Sequence, residues 1–158
     1  MKKKTIVIYG VPGVGKTTLG KRLFKKIDQS MLVDADDLWR INPFTVNDNN
    51  KRMVEENIKS VYNNFKENPE LETFIFLWVI PNINVYNLVN NWFDDATFIQ
   101  LQVDSATYKI RLDKDNRDSF DFEKYIELFK NYKDIPGIQI DTSNKDIDRL
   151  INEIKNLI

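Results

Sequence analysis

An apolar run, Thr5-Ile6-Val7-Ile8-Tyr9, ends directly in Gly10-Val11-Pro12-Gly13-Val14-Gly15-Lys16-Thr17. That junction limits the fold more than any other feature of the chain. A buried strand must deliver a loop whose backbone N–H groups wrap a polyphosphate, and glycines are needed where side chains would block the approach. Gly10, Gly13 and Gly15 supply that freedom. The chain from Thr17 to Ile27 reads as a helix, so its N-terminus directs partial positive charge at the same anion. Lys16, expected on a solvated loop, adds a full charge, and the backbone from Gly13 through Val14 to Thr18 is expected to hold the phosphates. The Thr17 hydroxyl is a natural ligand for Mg²⁺. Strand, spacing and helix agree on a P-loop. The motif predicts a bound nucleoside triphosphate and leaves the reaction open, because motors, GTPases and regulatory switches also carry it.

At 158 residues the chain is expected to be a single domain, 1–158, with a real core. Lys+Arg 23 against Asp+Glu 24 leaves a net charge of -1, so there is no general attraction to nucleic acid or to an anionic membrane. Cys 0 excludes disulfides and thiolate metal sites, and His 0 removes Ser-His-Asp chemistry and the commonest zinc ligand. The opening Met1-Lys2-Lys3-Lys4 is basic like a signal peptide, but the apolar stretch behind it is too short for one and is needed as a strand. No run approaches the ~20 apolar residues of a membrane span, and the expectation is a soluble, cytoplasmic protein.

Strand-like and helix-like segments alternate along the chain. Met31-Leu32-Val33 reads as a second strand. Met53, Val54, Ile58, Val61, Tyr62 and Phe65 recur at helical spacing up to the stop at Asn68-Pro69. Phe74 to Ile80 is apolar on both faces, as a central parallel strand should be, and Pro81 ends it. A helix follows with Val85, Leu88, Val89, Trp92 and Phe93 on one side. Phe98 to Val103 is the next strand, and Asp104-Ser105 can cap a helix ending near Leu112. Asp113 to Phe120 is polar, and helical spacing resumes at Phe122, Tyr125, Ile126 and Phe129. Ile138-Gln139-Ile140 is a last short strand, before a final helix striped by Ile147, Leu150, Ile151, Ile154, Leu157 and Ile158. This order predicts an α/β fold, a five-stranded parallel sheet with helices on both faces. Ligands then gather at the carboxyl ends of the strands.

Strand two runs into Asp34-Ala35-Asp36-Asp37-Leu38-Trp39-Arg40. Residues two apart on extended chain point the same way, so Asp34 and Asp36 can both face the P-loop. One carboxylate can support Mg²⁺, and the other can accept the proton of a substrate hydroxyl. Asp37 is expected to cap the helical turn that starts at Leu38. Strand three ends in Trp78-Val79-Ile80-Pro81 with no acid where motor ATPases place their metal-binding carboxylates. Asp134-Ile135-Pro136-Gly137 matches a GTPase pattern in letters but precedes the last strand, and Asn144-Lys145-Asp146-Ile147 misses the guanine-reading pattern at its final position. Arg111 and Arg117 flank a polar segment from which an arginine can swing over phosphates and help exclude water.

GVPGVGKT, the Asp34/Asp36 pair, the arginine-flanked segment 111–117 and Ile140-Asp141-Thr142-Ser143 after the last strand resemble the P-loop small-molecule kinases, the group of shikimate kinase, gluconate kinase and adenylate-kinase-like enzymes. The resemblance covers nearly the whole chain in element order and implies strand order 2-3-1-4-5 with a short lid at about 113–121. It implies that the paired acids serve metal and acceptor, the lid arginine contacts ATP, and the loop with Thr142 and Ser143 lines the adenine pocket. Where shikimate kinases carry a glycine pair after strand three, this chain has Trp78-Val79-Ile80-Pro81-Asn82.

The expectation is an ATP- and Mg²⁺-dependent kinase acting on a hydroxyl of a small metabolite. Lys16, Asp36 and Arg117 are its catalytic candidates, Thr17 and Asp34 the metal candidates. Gly10, Gly13, Val14, Gly15, Thr18, Arg111, Thr142 and Ser143 would bind the nucleotide, with adenine preferred over guanine. Asp36, Trp39, Arg40, Arg52, Trp78 and Asn82 would line the acceptor pocket. Two alternatives are a nucleoside or nucleotide kinase, in which Arg40 and Arg52 grip an acceptor phosphate, and a nucleotide-binding switch without turnover.

Overall fold

The computed structural model describes residues 3–114 and 130–158 of the chain. Strands β1 (Lys4–Gly10), β2 (Ser30–Asp34), β3 (Thr73–Trp78), β4 (Thr97–Gln102) and β5 (Ile138–Asp141) form one parallel sheet in the order β2-β3-β1-β4-β5. The described helices are α1 (Lys16–Phe24), α2 (Ala35–Leu38), α3 (Asp48–Glu67), α4 (Ile83–Asn90), α5 (Ser105–Lys114) and α6 (Ile147–Lys155).

Alternation along the strands divides the core into two layers. Ile6 and Ile8 of β1, Ile75 and Leu77 of β3, and Ile99 and Leu101 of β4 meet Leu19 and Leu23 of α1 and Leu150, Ile151 and Ile154 of α6. The intervening residues Val7, Tyr9, Phe74, Phe76 and Phe98 face the other way, onto Val54, Ile58, Tyr62 and Phe65 of α3 and Val89 of α4. The first layer is aliphatic. The second is aromatic, with Phe93 centred 4.8 Å from Tyr62 and 5.0 Å from Phe76, and Trp78 stacked on Trp92 at 5.7 Å. Strands covered on both faces cannot show a polar side, which is why the β3 sequence is apolar throughout.

Helix ends are set by short polar side chains. Asn47 caps α3 by accepting from the Asn50 N–H at 2.9 Å, so the Asn/Asp cluster at 47–50 begins that helix. Asp146, part of the false guanine motif, caps α6 through the Arg149 N–H at 2.9 Å. Lys145 pairs with Glu153 at 2.7 Å.

Several expected placements shift. Trp92 and Phe93 are buried, but in a turn beyond the end of α4, while Leu88 on that helix is exposed. Met53 is exposed as well, because α3 presents only a narrow stripe to the sheet, and so is Leu157, which lies beyond the end of α6. β3 stops at Trp78, short of Ile80. Residues 115–129 lie outside the described residues, and with them Arg117, most of the expected lid and the helical spacing at 122–129. Among the described residues no helix is long and apolar enough to cross a membrane.

Candidate active site

The P-loop leaves β1 at Gly10 and enters α1 at Lys16. Gly13 and Gly15 have φ of +83° and +107°, the left-handed region where a Cβ is strained. Gly15 is also the residue preceding α1 and provides no side-chain cap, so the loop presents backbone N–H groups at a helix N-terminus. Lys16 is only 8% exposed, against the expectation of a solvated loop position. Its ammonium folds back to donate to the carbonyls of Gly10 at 3.0 Å and Val11 at 3.1 Å. A cation cannot stay buried without acceptors, and these carbonyls supply them.

Two side chains of α5 brace the loop from behind. The Tyr108 hydroxyl donates to the Pro12 carbonyl at 2.7 Å, and Arg111 donates to the Val14 carbonyl at 2.9 Å. Nothing in the residue pattern distinguishes Tyr108 from an ordinary core tyrosine, so it went unassigned in the sequence. Arg111 was expected beside a mobile polar segment. It lies within α5, and the same guanidinium reaches Thr142 Oγ1 at 2.9 Å and the Thr142 carbonyl at 2.7 Å. Arg111 therefore ties the P-loop to the end of β5.

Beside this tie is a cavity of about 270 Å³, bordered by Gly15, Thr18, Arg111, Thr142, Lys145 and Leu150. Lys145 and Leu150 were not anticipated there, since both carry other obvious roles in an ion pair and a core stripe. Thr142 is buried, and its hydroxyl donates to the Gln102 carbonyl at 2.9 Å. Ser143 does not border the cavity. Its hydroxyl donates to Asp141 at 2.6 Å and accepts from the Asp104 N–H at 2.8 Å. Asp104 in turn takes the Thr107 N–H and hydroxyl, each at 2.8 Å, at the start of α5. These Thr107 hydrogen bonds, with a smaller part from Ser143, pull its carboxyl down to about 2.

On the other side of the loop, the Thr17 hydroxyl donates to Asp34 Oδ2 at 2.8 Å. Asp34 Oδ1 accepts from the Asp36 N–H at 3.2 Å, making Asp34 the cap of α2. The turn therefore begins at Ala35, and the capping role expected of Asp37 belongs to Asp34. Asp37 instead pairs with Arg40 at 2.7 Å. A hydroxyl beside a carboxylate is a hard-oxygen donor set that suits Mg²⁺. Among the described residues there is no group of three or more acidic, His or Cys side chains that could hold a metal. The Thr17–Asp34 pair fits the partial coordination that Mg²⁺ accepts when phosphate oxygens and water complete its shell.

Asp36, next along, opens on a groove of about 640 Å³ bordered also by Trp39, Arg40, Ile41, Phe44, Val46 and Trp78. Trp78 is the register partner of Tyr9, the residue before Gly10, so the groove floor adjoins the start of the P-loop. Four of the expected acceptor residues, Asp36, Trp39, Arg40 and Trp78, converge here. Arg52 and Asn82 do not border the groove. Arg52 donates to Asn49 at 2.8 Å along the exposed side of α3, and the Asn82 side chain caps α4 through the Val85 N–H at 3.1 Å.

Residues 6–125 match the model of the family described as an AAA domain, AAA_18. The chain belongs to this AAA-domain family. It is similar to shikimate kinase of Bacillus cereus (strain G9842), with 25% identity over 177 aligned positions covering 98% of both chains. A solved sugar kinase from Janibacter sp. HTCC2649 superimposes with a TM-score of 0.75 at 14% identity, over 98% of this chain and 93% of that one. A gluconokinase from Sinorhizobium meliloti 1021 gives 0.65 at 12% identity, over 95% and 88%. This AAA-domain chain thus has the P-loop small-molecule kinase fold, and the strand order implied by the resemblance is the one observed.

Proposed function

We propose that the protein is an ATP- and Mg²⁺-dependent kinase that transfers the γ-phosphoryl group to a hydroxyl of a small molecule. The observation that carries this reading is continuity: the P-loop, the Thr17–Asp34 pair and the Asp36 groove adjoin one another along the carboxyl ends of β1, β2 and β3. A donor phosphate on the loop and an acceptor in the groove would meet at the two aspartates.

In this reading Lys16 exchanges its two carbonyl contacts for phosphate oxygens, and the N–H groups from Gly13 to Thr18 cradle the polyphosphate. Thr17 and Asp34 would hold Mg²⁺, which would supply charge neutralisation at the phosphates. Asp36 accepts the proton of the acceptor hydroxyl as that oxygen bonds to the γ-phosphorus. The bond to the bridging oxygen breaks, and its electron pair leaves on ADP. Arg117 is proposed to close over the phosphates. Arg111 and Thr142 line the base pocket, which favours ATP over GTP.

Phosphorus NMR of mixtures with Mg-ATP and a panel of alcohols tests the proposal. Loss of the γ-phosphate signal should be matched by a new phosphomonoester, with little inorganic phosphate, and Lys16→Ala should abolish it in a folded protein. Nucleotide binding without any ester, across sugars, sugar acids, nucleosides and aryl alcohols, would replace the kinase with a switch.

A further inference from the structure

The groove at Asp36 has a composition that selects among acceptors. A polyhydroxylated acceptor needs a protein partner for nearly every hydroxyl, since each buried unsatisfied group costs about 1–3 kcal/mol. Among the described residues the groove offers one carboxylate, Asp36, and one guanidinium, Arg40, whose Nη2 is already 2.7 Å from Asp37. Its other walls among the described residues are apolar, and three of them are aromatic.

Those rings are placed for stacking. Trp39 and Phe44 meet edge to face at 6.4 Å, and Phe44 is 65% exposed although it is large and apolar. Trp78 is held from behind by its stack on Trp92, so its orientation is fixed by the aromatic layer of the core. Rigid aromatic walls lose little entropy when a flat ring is laid against them, and ring–ring contacts add ~0.5–1.5 kcal/mol each beyond area burial. About 640 Å³ is room for a ring-bearing molecule and more than a compact polyol fills.

We infer that the groove takes an alcohol whose hydroxyl is carried on a planar aromatic or heteroaromatic body, such as a nucleoside or an aryl-substituted alcohol, with the ring against Trp39, Phe44 and Trp78 and the hydroxyl at Asp36. The inference rests on the kinase reading for its word acceptor, but not for the ligand class. A polyol acid such as shikimate or gluconate offers these described walls no ring to stack.

Binding and transfer are measured separately. With Mg²⁺ and an unreactive ATP analogue filling the nucleotide site, saturation-transfer NMR and tryptophan fluorescence are recorded for adenosine, uridine, 2-phenylethanol, shikimate and D-gluconate. At least one ring-bearing alcohol should bind and quench fluorescence, while the two polyol acids should not. The nucleosides against 2-phenylethanol tell heteroaromatic from aryl. With ATP, the ring-bearing ligand should be phosphorylated with kcat/KM at least about tenfold above either acid, and Trp39→Ala should raise its KM about tenfold with Trp39→Phe recovering most of the loss. Ring binding that depends on Trp39 without transfer upholds the ligand class and removes the kinase reading. Preference for shikimate or gluconate, absence of binding by any ring-bearing alcohol, or binding indifferent to Trp39→Ala overturns the inference.

Discussion

Asp34 has two partners that a single substitution can separate. It caps α2 through the Asp36 N–H and receives the Thr17 hydroxyl. Asn caps about as well as Asp, whereas Ala loses about 1 kcal/mol at such a position. Asp34→Asn should therefore keep wild-type stability in thermal melts while requiring more Mg²⁺ for half-maximal turnover, and Asp34→Ala should show both defects. A Mg²⁺ requirement unchanged in Asp34→Asn would limit the residue to capping. Arg111 makes a planar fork onto Val14 and Thr142 that a lysine cannot copy. Arg111→Lys and Arg111→Ala should both raise KM for ATP, by about tenfold if ~1.4 kcal/mol of the stabilisation from this fork is lost to nucleotide binding. Recovery by lysine would show that charge alone is used. That Gly13, Lys16 and Thr17 share one loop and that Asp34 faces it was legible in the sequence, whereas the burial of Lys16 was not. Arg111 as a tether and Tyr108 as a brace were not, because both depend on where α5 packs.

At the scale of elements, the basic opening of the chain acquires a structural use. The Lys3 ammonium donates to the carbonyls of Phe65 at 3.1 Å, Asn68 at 2.5 Å and Leu71 at 2.6 Å, and lies 4.8 Å from the Phe65 ring centre. A cation there adds a charged donor to carbonyls at and just beyond the end of α3 and complements its dipole. Lys3→Ala should lower stability by about 1–2 kcal/mol in urea melts with an unchanged m-value, and Lys4→Ala should not. Equal effects would reduce Lys3 to general surface charge. The start of α5 is sensitive to acid in a defined window. Asp104 has its pKa depressed to about 2 in the folded protein, below the ordinary carboxylate value of about 3.9. Its contribution is complete above about pH 4 and is lost as pH falls towards 2. Carboxyl NMR titration should show Asp104 ionised well below pH 4, with Asp104→Asn removing that part of the acid dependence. A midpoint near the ordinary value would contradict the capping network. Helix existence was readable from apolar spacing, as for α3 and α6. Some helix ends were readable, at Asp104 before α5 and at Asn68 after α3, whereas the caps Asn47, Asn82 and Asp34 were not, because each acts through a single hydrogen bond that spacing does not encode.

The whole molecule is a sheet whose carboxyl edge gathers what the chain scatters. β1 brings the P-loop, β2 the two aspartates, β3 Trp78, and the loop after β5 brings Thr142 back to the P-loop through Arg111. Alternation of strand and helix made the carboxyl edge legible in advance, and the resemblance to P-loop small-molecule kinases implied which strand ends lie side by side. The groove at Asp36 was only half legible. Trp39 and Trp78 could equally have been core, and Arg52 and Asn82 face elsewhere because α3 and α4 turn them to solvent and to a cap. Asp36 is the residue that joins the groove to the phosphate site, so it tests the account most directly. Single-turnover transfer from saturating Mg-ATP by Asp36→Asn should be slower by a factor of about 10²–10⁴, the usual range for a lost general base, with ATP affinity changed little. Transfer at the wild-type rate would contradict the account and place the acceptor away from Asp36.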